Sequence, residues 1–151
     1  MEISAKVDYA IRALLTLAER SPELTTIDIV IGEQNLPRKF AEAILSDLRR
    51  AGIVRSQRGA HGGYALARPA EEITLGAVFR GVDGRLAEVR GLRPDQTSYT
   101  GVAQHLPDVW VAVRASLRWV LDETTIAQVL SGTLPPHVRR MVAQPDAWLP
   151  R

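Results

Sequence analysis

LPRKFAEAILSDLRRAGIVRSQRGAHGGYALA, residues Leu36 to Ala67 of a 151-residue chain, reads as one helix followed by a small two-stranded reversal. From Pro37 onward, Ala41, Ile44, Leu45 and Leu48 fall at i, i+3, i+4 and i+7, the apolar stripe of an amphipathic helix. Pro37 suits the first helical position, where a missing N–H would have no partner anyway. Gly52 stops the helix by taking the left-handed conformation after its last turn. The period then changes from 3.6 to 2. Ile53 and Val54 on one side, and Tyr64, Ala65 and Leu66 on the other, flank Arg58-Gly59-Ala60-His61-Gly62-Gly63, whose glycines permit the positive φ of a tight reversal.

With the apolar stripe buried, Arg38, Lys39, Glu42, Ala43 and Ser46 share the opposite side near the helix N-terminus, where backbone N–H groups also favour phosphate. These residue types suit double-stranded DNA: cations for phosphates, and short or bidentate side chains for base edges in the major groove. Arg58 at the turn is placed to probe a narrow minor groove. His61 beside it is either a phosphate donor or a solvated loop residue. Leu36 to Arg68 holds seven basic residues against two acidic ones; with 19 and 17 in the whole chain, the remainder has 12 and 15. The positive charge is therefore concentrated in this segment. The competing reading is an ordinary solvated helix with a hairpin behind it.

Helix, Ala-Gly stop, Arg-Gly turn and Gly-Gly-Tyr-x-Leu-Ala return strand occur together and in order, and the run resembles the winged-helix repressors of the Rrf-two family, which includes the IscR, NsrR and CymR types. The opening MEISAKVDYAIRALLTLA also resembles that family's first helix, so the likeness covers roughly the first 80 residues. It implies a mainly α fold with a small two-stranded β-wing: a winged helix-turn-helix domain plus a long dimerisation helix. By the same resemblance, Lys39, Glu42 and Ala43 align with base-reading positions, and Arg58 with the wing residue that enters the minor groove. Ala43 replaces the longer polar side chain some relatives carry, which implies a different target sequence.

Hydrophobic content of 46% with 24% charge is that of a soluble globular protein. No run approaches the roughly 20 apolar residues of a membrane span, and no signal-peptide pattern is visible, so a cytoplasmic protein with no membrane partner is expected. Zero cysteines exclude disulfides, thiolate zinc sites and conventional iron–sulfur ligation. No cofactor and no metal are expected.

Along the chain, Ser4 can cap a first helix whose apolar face is Val7, Ala10, Ile11, Leu14, Leu17 and Ala18, ended by Ser21-Pro22. Asp8 and Arg12 lie on its other side as an i,i+4 pair. Resemblance places Asp8 where some nitric-oxide-sensing relatives ligate a cluster, a part it cannot play alone. Thr25 or Thr26 should cap a second short helix leading to the turn Asn35-Leu36-Pro37. Its β-branched Ile27, Ile29, Val30 and Ile31 would favour a strand if propensity decided; family likeness and the need to buttress the next helix favour a helix. Thr74 caps a helix from Leu75 to about Val82, and a domain boundary follows: residues 1–84 as the DNA-binding domain, 85–151 as linker, dimerisation helix and tail.

Residues Arg85 to Gln104 form a polar connection with Arg85, Arg90 and Arg93. Sensing members of the family hold three cluster-binding cysteines here. This chain holds none. From Pro107 to Asp122 a helix of roughly 24 Å is apolar around most of its circumference. A second copy of the chain is its economical cover, with Trp110, Val113, Leu117, Val120 and Leu121 at the interface; burial within the monomer is the alternative. Asp8, Arg12, Arg93 and His105 are the candidate sensor residues, and Trp110, Trp119, His105 and Arg93 could border a pocket for an unidentified small-molecule effector. Thr124 or Thr125 caps a last short helix, Ile126 to Leu130; His137 has no partner at metal-ligand spacing, and the tail shows little periodicity.

These features predict a homodimeric transcription regulator, more a repressor than an activator, on a pseudo-palindromic operator whose two major-groove contacts lie about 34 Å apart or a multiple of that. The alternative is a winged-helix protein-interaction module. An enzyme is not expected, since no nucleophile–base pair, paired carboxylates, phosphate loop or metal-spaced cluster is present in the pattern.

Overall fold

Ser4 opens the first helix, α1 (Ala5–Glu19), by accepting the Val7 N–H on its Oγ at 3.2 Å. In the computed structural model, which describes residues 3–150, the chain continues through α2 (Ile27–Gln34), α3 (Arg38–Arg50), β1 (Val54–Gln57), β2 (Gly63–Leu66), α4 (Leu75–Val82), α5 (Leu106–Leu121), α6 (Ile126–Ser131) and α7 (Pro136–Val142). The predicted class holds: mostly helix, with one two-stranded antiparallel sheet among the described residues.

The core lies between α1 and α3. Val7, Ala10, Leu14 and Leu17 of α1 meet Ile44, Leu45 and Leu48 of α3, with Val30 of α2, Val78 of α4 and Ile126 of α6 closing the sides; none has measurable exposure. Each buried aliphatic side chain of this size stabilises the fold by about 1.5–3 kcal/mol relative to an exposed one. Lys6 ties three helices together. Its Nζ donates to the Val82 carbonyl at 2.8 Å, complementing the carbonyl end of α4, and pairs with Asp47 of α3 at 2.7 Å.

The two local ambiguities of the N-terminal half resolve through packing. Ile27 to Gln34 is helical, because α2 can bury Val30 in the core only as a helix lying across α1 and α3. Thr26 is its cap, and the extended tendency of the region survives in one residue: Thr25 and Tyr64 exchange both backbone hydrogen bonds at 2.8 Å, fastening the start of α2 to the wing. Gly63 sits in that contact, where a Cβ would come within 2.7 Å of the Thr25 carbonyl oxygen.

Helix α6 returns to the N-terminal core across the boundary drawn at residue 84. Thr125 caps it, Leu75 N–H donates to the Thr124 carbonyl at 2.8 Å, and Ile126 N–H to the Ile73 carbonyl at 2.9 Å. Residues 126–131 therefore pack with α1 and the short helical turn at Ala70–Glu72, separate in sequence from the unit they complete. The tail departs from the aperiodic expectation: Pro136 occupies the first position of α7, and the His137 ring is buried, stacked on Trp119 with centroids 4.6 Å apart, its Nε2–H donating to the Trp119 carbonyl at 2.8 Å.

Candidate nucleic-acid interface

Helix α3 starts after a tight turn in which Asn35 is left-handed (φ 51°, ψ 52°) and Leu36 is buried, so Pro37 leads the chain out at a new angle. It ends in a paired motif: with Gly52 at φ 70°, the Gly52 N–H donates to the Arg49 carbonyl and the Ile53 N–H to the Leu48 carbonyl, both at 3.0 Å. That reversal throws the chain directly into β1. The strands pair Val54 with Leu66 and Gln57 with Gly63, leaving residues 58–62 as the wing tip. The pairing is longer than the apolar pattern indicated, because Ser56 and Gln57 join the ladder through backbone bonds that polar side chains do not oppose.

Predicted contact residues lie on two adjoining surfaces. On α3, Arg38, Lys39, Glu42 and Ala43 are exposed and Ser46 is half-buried, while Ala41, Ile44, Leu45 and Leu48 face the core. At the wing tip, Arg58 and His61 are exposed. Lys39, Arg58 and His61 make no hydrogen bond or ion pair among the described residues. Arg38 differs: its guanidinium is held by Asp28 of α2 and lies 3.8 Å from Glu42. Arg49 reaches across to Ser56 of β1 at 3.3 Å, and Arg55 to the Pro22 carbonyl at 3.4 Å, so they brace the wing against α3 and the α1–α2 connection.

Phe40 was not foreseen. It is half exposed beside Lys39, and its ring meets Tyr9 edge-on with centroids 5.9 Å apart. An apolar side chain off the buried stripe and within the polar face was the available signal. Asp47, further along α3, is hydrogen-bonded by Lys6 and, more weakly, Arg50, which together outweigh partial burial and hold its carboxyl below the usual aspartate range.

The proposed sensor residues do not assemble. Asp8 and Arg12 pair at 3.3 Å, and Arg12 also holds the Gln34 backbone carbonyl and lies over the Tyr9 ring, so the pair fixes α1 to the end of α2. Arg93 pairs instead with Asp95, and His105 contacts Gln104. Of the four residues expected around an effector pocket, Arg93 and Trp110 line adjoining hollows beneath the linker, whereas Trp119 stacks on His137. Helix α5 has no buried residue in the isolated chain; Val113 and Trp119 are more than 40% exposed, and Trp110, Leu117, Val120 and Leu121 half-buried.

A family model described as Rrf2, iron-dependent transcriptional regulator, matches residues 3–132. An HTH-type transcriptional regulator of Mycobacterium tuberculosis is 45% identical over 142 residues, covering 93% of this chain and 88% of that protein. CymR of Bacillus subtilis is 31% identical over 134 residues, covering 88% and 92%. The solved structure of CymR, the global cysteine regulator of B. subtilis, superposes with a TM-score of 0.72 over 87% of this chain and 98% of that one. The IscR structure of T. potens gives 0.69 at 27% identity over 100% and 93%. The iron in the family's description finds no matching donor set here: the sequence has no cysteine, and no three His, Asp or Glu side chains converge among the described residues. The family match, the relatives and the winged architecture agree, and the chain belongs to the Rrf2 (Rrf-two) family of helix-turn-helix transcriptional regulators.

Proposed function

We propose that this regulator is a homodimeric repressor that binds a pseudo-palindromic DNA site without an iron–sulfur cluster. The observation that carries the reading is the pairing of two exposed surfaces by the Gly52 reversal: the N-terminal half of α3 and the Arg58–His61 wing tip, with Lys39, Arg58 and His61 making no hydrogen bond or ion pair among the described residues. Lys39 and Arg38 supply phosphate and base contacts, Glu42 and Ala43 face base edges, Ser46 reaches backbone oxygens, and Arg58 enters the adjoining minor groove with His61 on a phosphate. Phe40 adds an apolar edge suited to a thymine methyl. Arg38 must release Asp28 or share it.

The dimer rests on α5, whose apolar residues are only partly covered in one chain, and two-fold symmetry would bring the two α3 helices to one face of the duplex. Residues 1–84 act as the DNA-binding part, braced by α6, and 85–151 otherwise serve linkage and dimerisation. The lack of thiolates supports the cluster-free reading.

Selection of bound sequences from random duplexes tests the reading. Enrichment of an inverted repeat, with log K falling linearly against log salt, is the expected result. Weak retention without sequence preference would instead point to a protein-interaction module.

A further inference from the structure

Five arginines line a single hollow of about 340 Å³ between α4, the linker and α5: Arg80, Arg85, Arg93, Arg114 and Arg118, with Asp122 at its edge. Their intramolecular partners are too few. Asp122 divides its oxygens between Arg80 at 2.8 Å and Arg118 at 3.2 Å, Asp95 divides its own between Arg93 at 2.7 Å and Arg114 at 3.2 Å, and Glu88 meets Arg85 at 3.4 Å. Among the described residues, three carboxylates thus serve five guanidiniums, each with five donors in a planar fork. The shared carboxylates hold four of the forks in place while leaving most of their N–H groups uncommitted. Gly76 makes the arrangement possible, since a Cβ there would stand 1.8 Å from the Asp122 oxygen. The adjoining hollow shares Arg85, Leu86 and Ala87, and is lined by Trp110, whose buried indole N–H has no acceptor among the described residues.

We propose that this hollow binds a small polyanion bearing two or more carboxylate or phosphate groups. A guanidinium fork accepts either group bidentately, and the volume suits a compact metabolite. Because the ligand would bridge the linker and α5, its binding would alter how α5 is presented; that consequence rests on the regulatory reading above, whereas the binding itself does not.

Citrate and pyrophosphate, titrated separately into the purified full-length protein by calorimetry at constant ionic strength, test the site. At least one should bind about tenfold or more tightly than acetate, and the double variant R93Q/R114Q should weaken it by about tenfold. R139Q/R140Q, on α7, should leave binding within about twofold. Where the first double variant loses cooperative unfolding, Arg85→Gln takes its place, since among the described residues Arg85 pairs only with Glu88 on the exposed linker. Binding of citrate alone, or of pyrophosphate alone, supports the site and identifies the anionic group. Neither anion exceeding acetate, or binding unchanged by the hollow variants, overturns it. Duplex binding on the same preparation separates the two ideas: intact DNA binding without anion binding removes only this site, and the converse removes only the regulatory reading.

Discussion

Helices α1 and α5 are nearly equal in length, 15 and 16 residues, and both are rich in aliphatic side chains, yet six residues of α1 are buried and none of α5 is. The difference lies in neighbours. Helix α1 is packed by α2, α3, α4, α6 and the wing, whereas α5 meets chiefly α4 and the short helical turn at Pro94–Gln96. Apolar content gives a helix a need for cover; it does not say whether its own chain supplies it.

Substitutions on the two helices' surroundings should respond differently. Leu45→Ala, in the layer that covers α1, should lower the unfolding free energy by about 2–5 kcal/mol at every protein concentration, measured by chemical denaturation. Val113→Asp on α5 should leave the circular dichroism of the chain intact and raise the dimer dissociation constant about thirtyfold, followed by sedimentation. An undiminished dimer would remove α5 from the interface. Arg58→Ala, remote from both helices, should weaken duplex binding by about 1–3 kcal/mol in a titration at fixed salt, with stability unchanged.

The smallest effect concerns Asp47, which pins α3 to α1 through Lys6. Because its folded pKa is depressed, its contribution is fully present above the unfolded aspartate value and is lost as pH falls through the lower folded one. Asp47→Asn should therefore cost about 1 kcal/mol at neutral pH and flatten the fall in stability below about pH 4, checked by denaturation across an acid series.

Much of the candidate interface was legible before any coordinates. The stripe Ala41, Ile44, Leu45 and Leu48 is buried as the 3.6 period required, which leaves Arg38, Lys39, Glu42 and Ala43 outside. Gly52 terminates α3 in the left-handed conformation its position suggested. Elsewhere the code was not local. Residues Ile27 to Ile31 carry a strand-forming composition overridden by the burial of Val30, and the cap could not be assigned between Thr25 and Thr26 until Tyr64, some 40 residues away, claimed Thr25. Phe40 lies off the apolar stripe of α3, and only the fold brings Tyr9 edge-on to its ring.

Periodicity, glycine placement and the capping hydroxyls of Ser4 and Thr74, all properties of a few adjacent residues, determined from the sequence alone the recognition-type helix, the wing, the capped α1 and α4, and an α5 with apolar residues on most sides. Tertiary structure alone decided that α6 completes the N-terminal core, that His137 stacks on Trp119, that Asp8 and Arg12 fasten α2, and that five arginines from α4, the linker and α5 converge on one hollow. Each of those outcomes joins residues separated by at least one turn or loop, and the free energy of such contacts depends on which surfaces folding brings within reach, a quantity no local pattern contains.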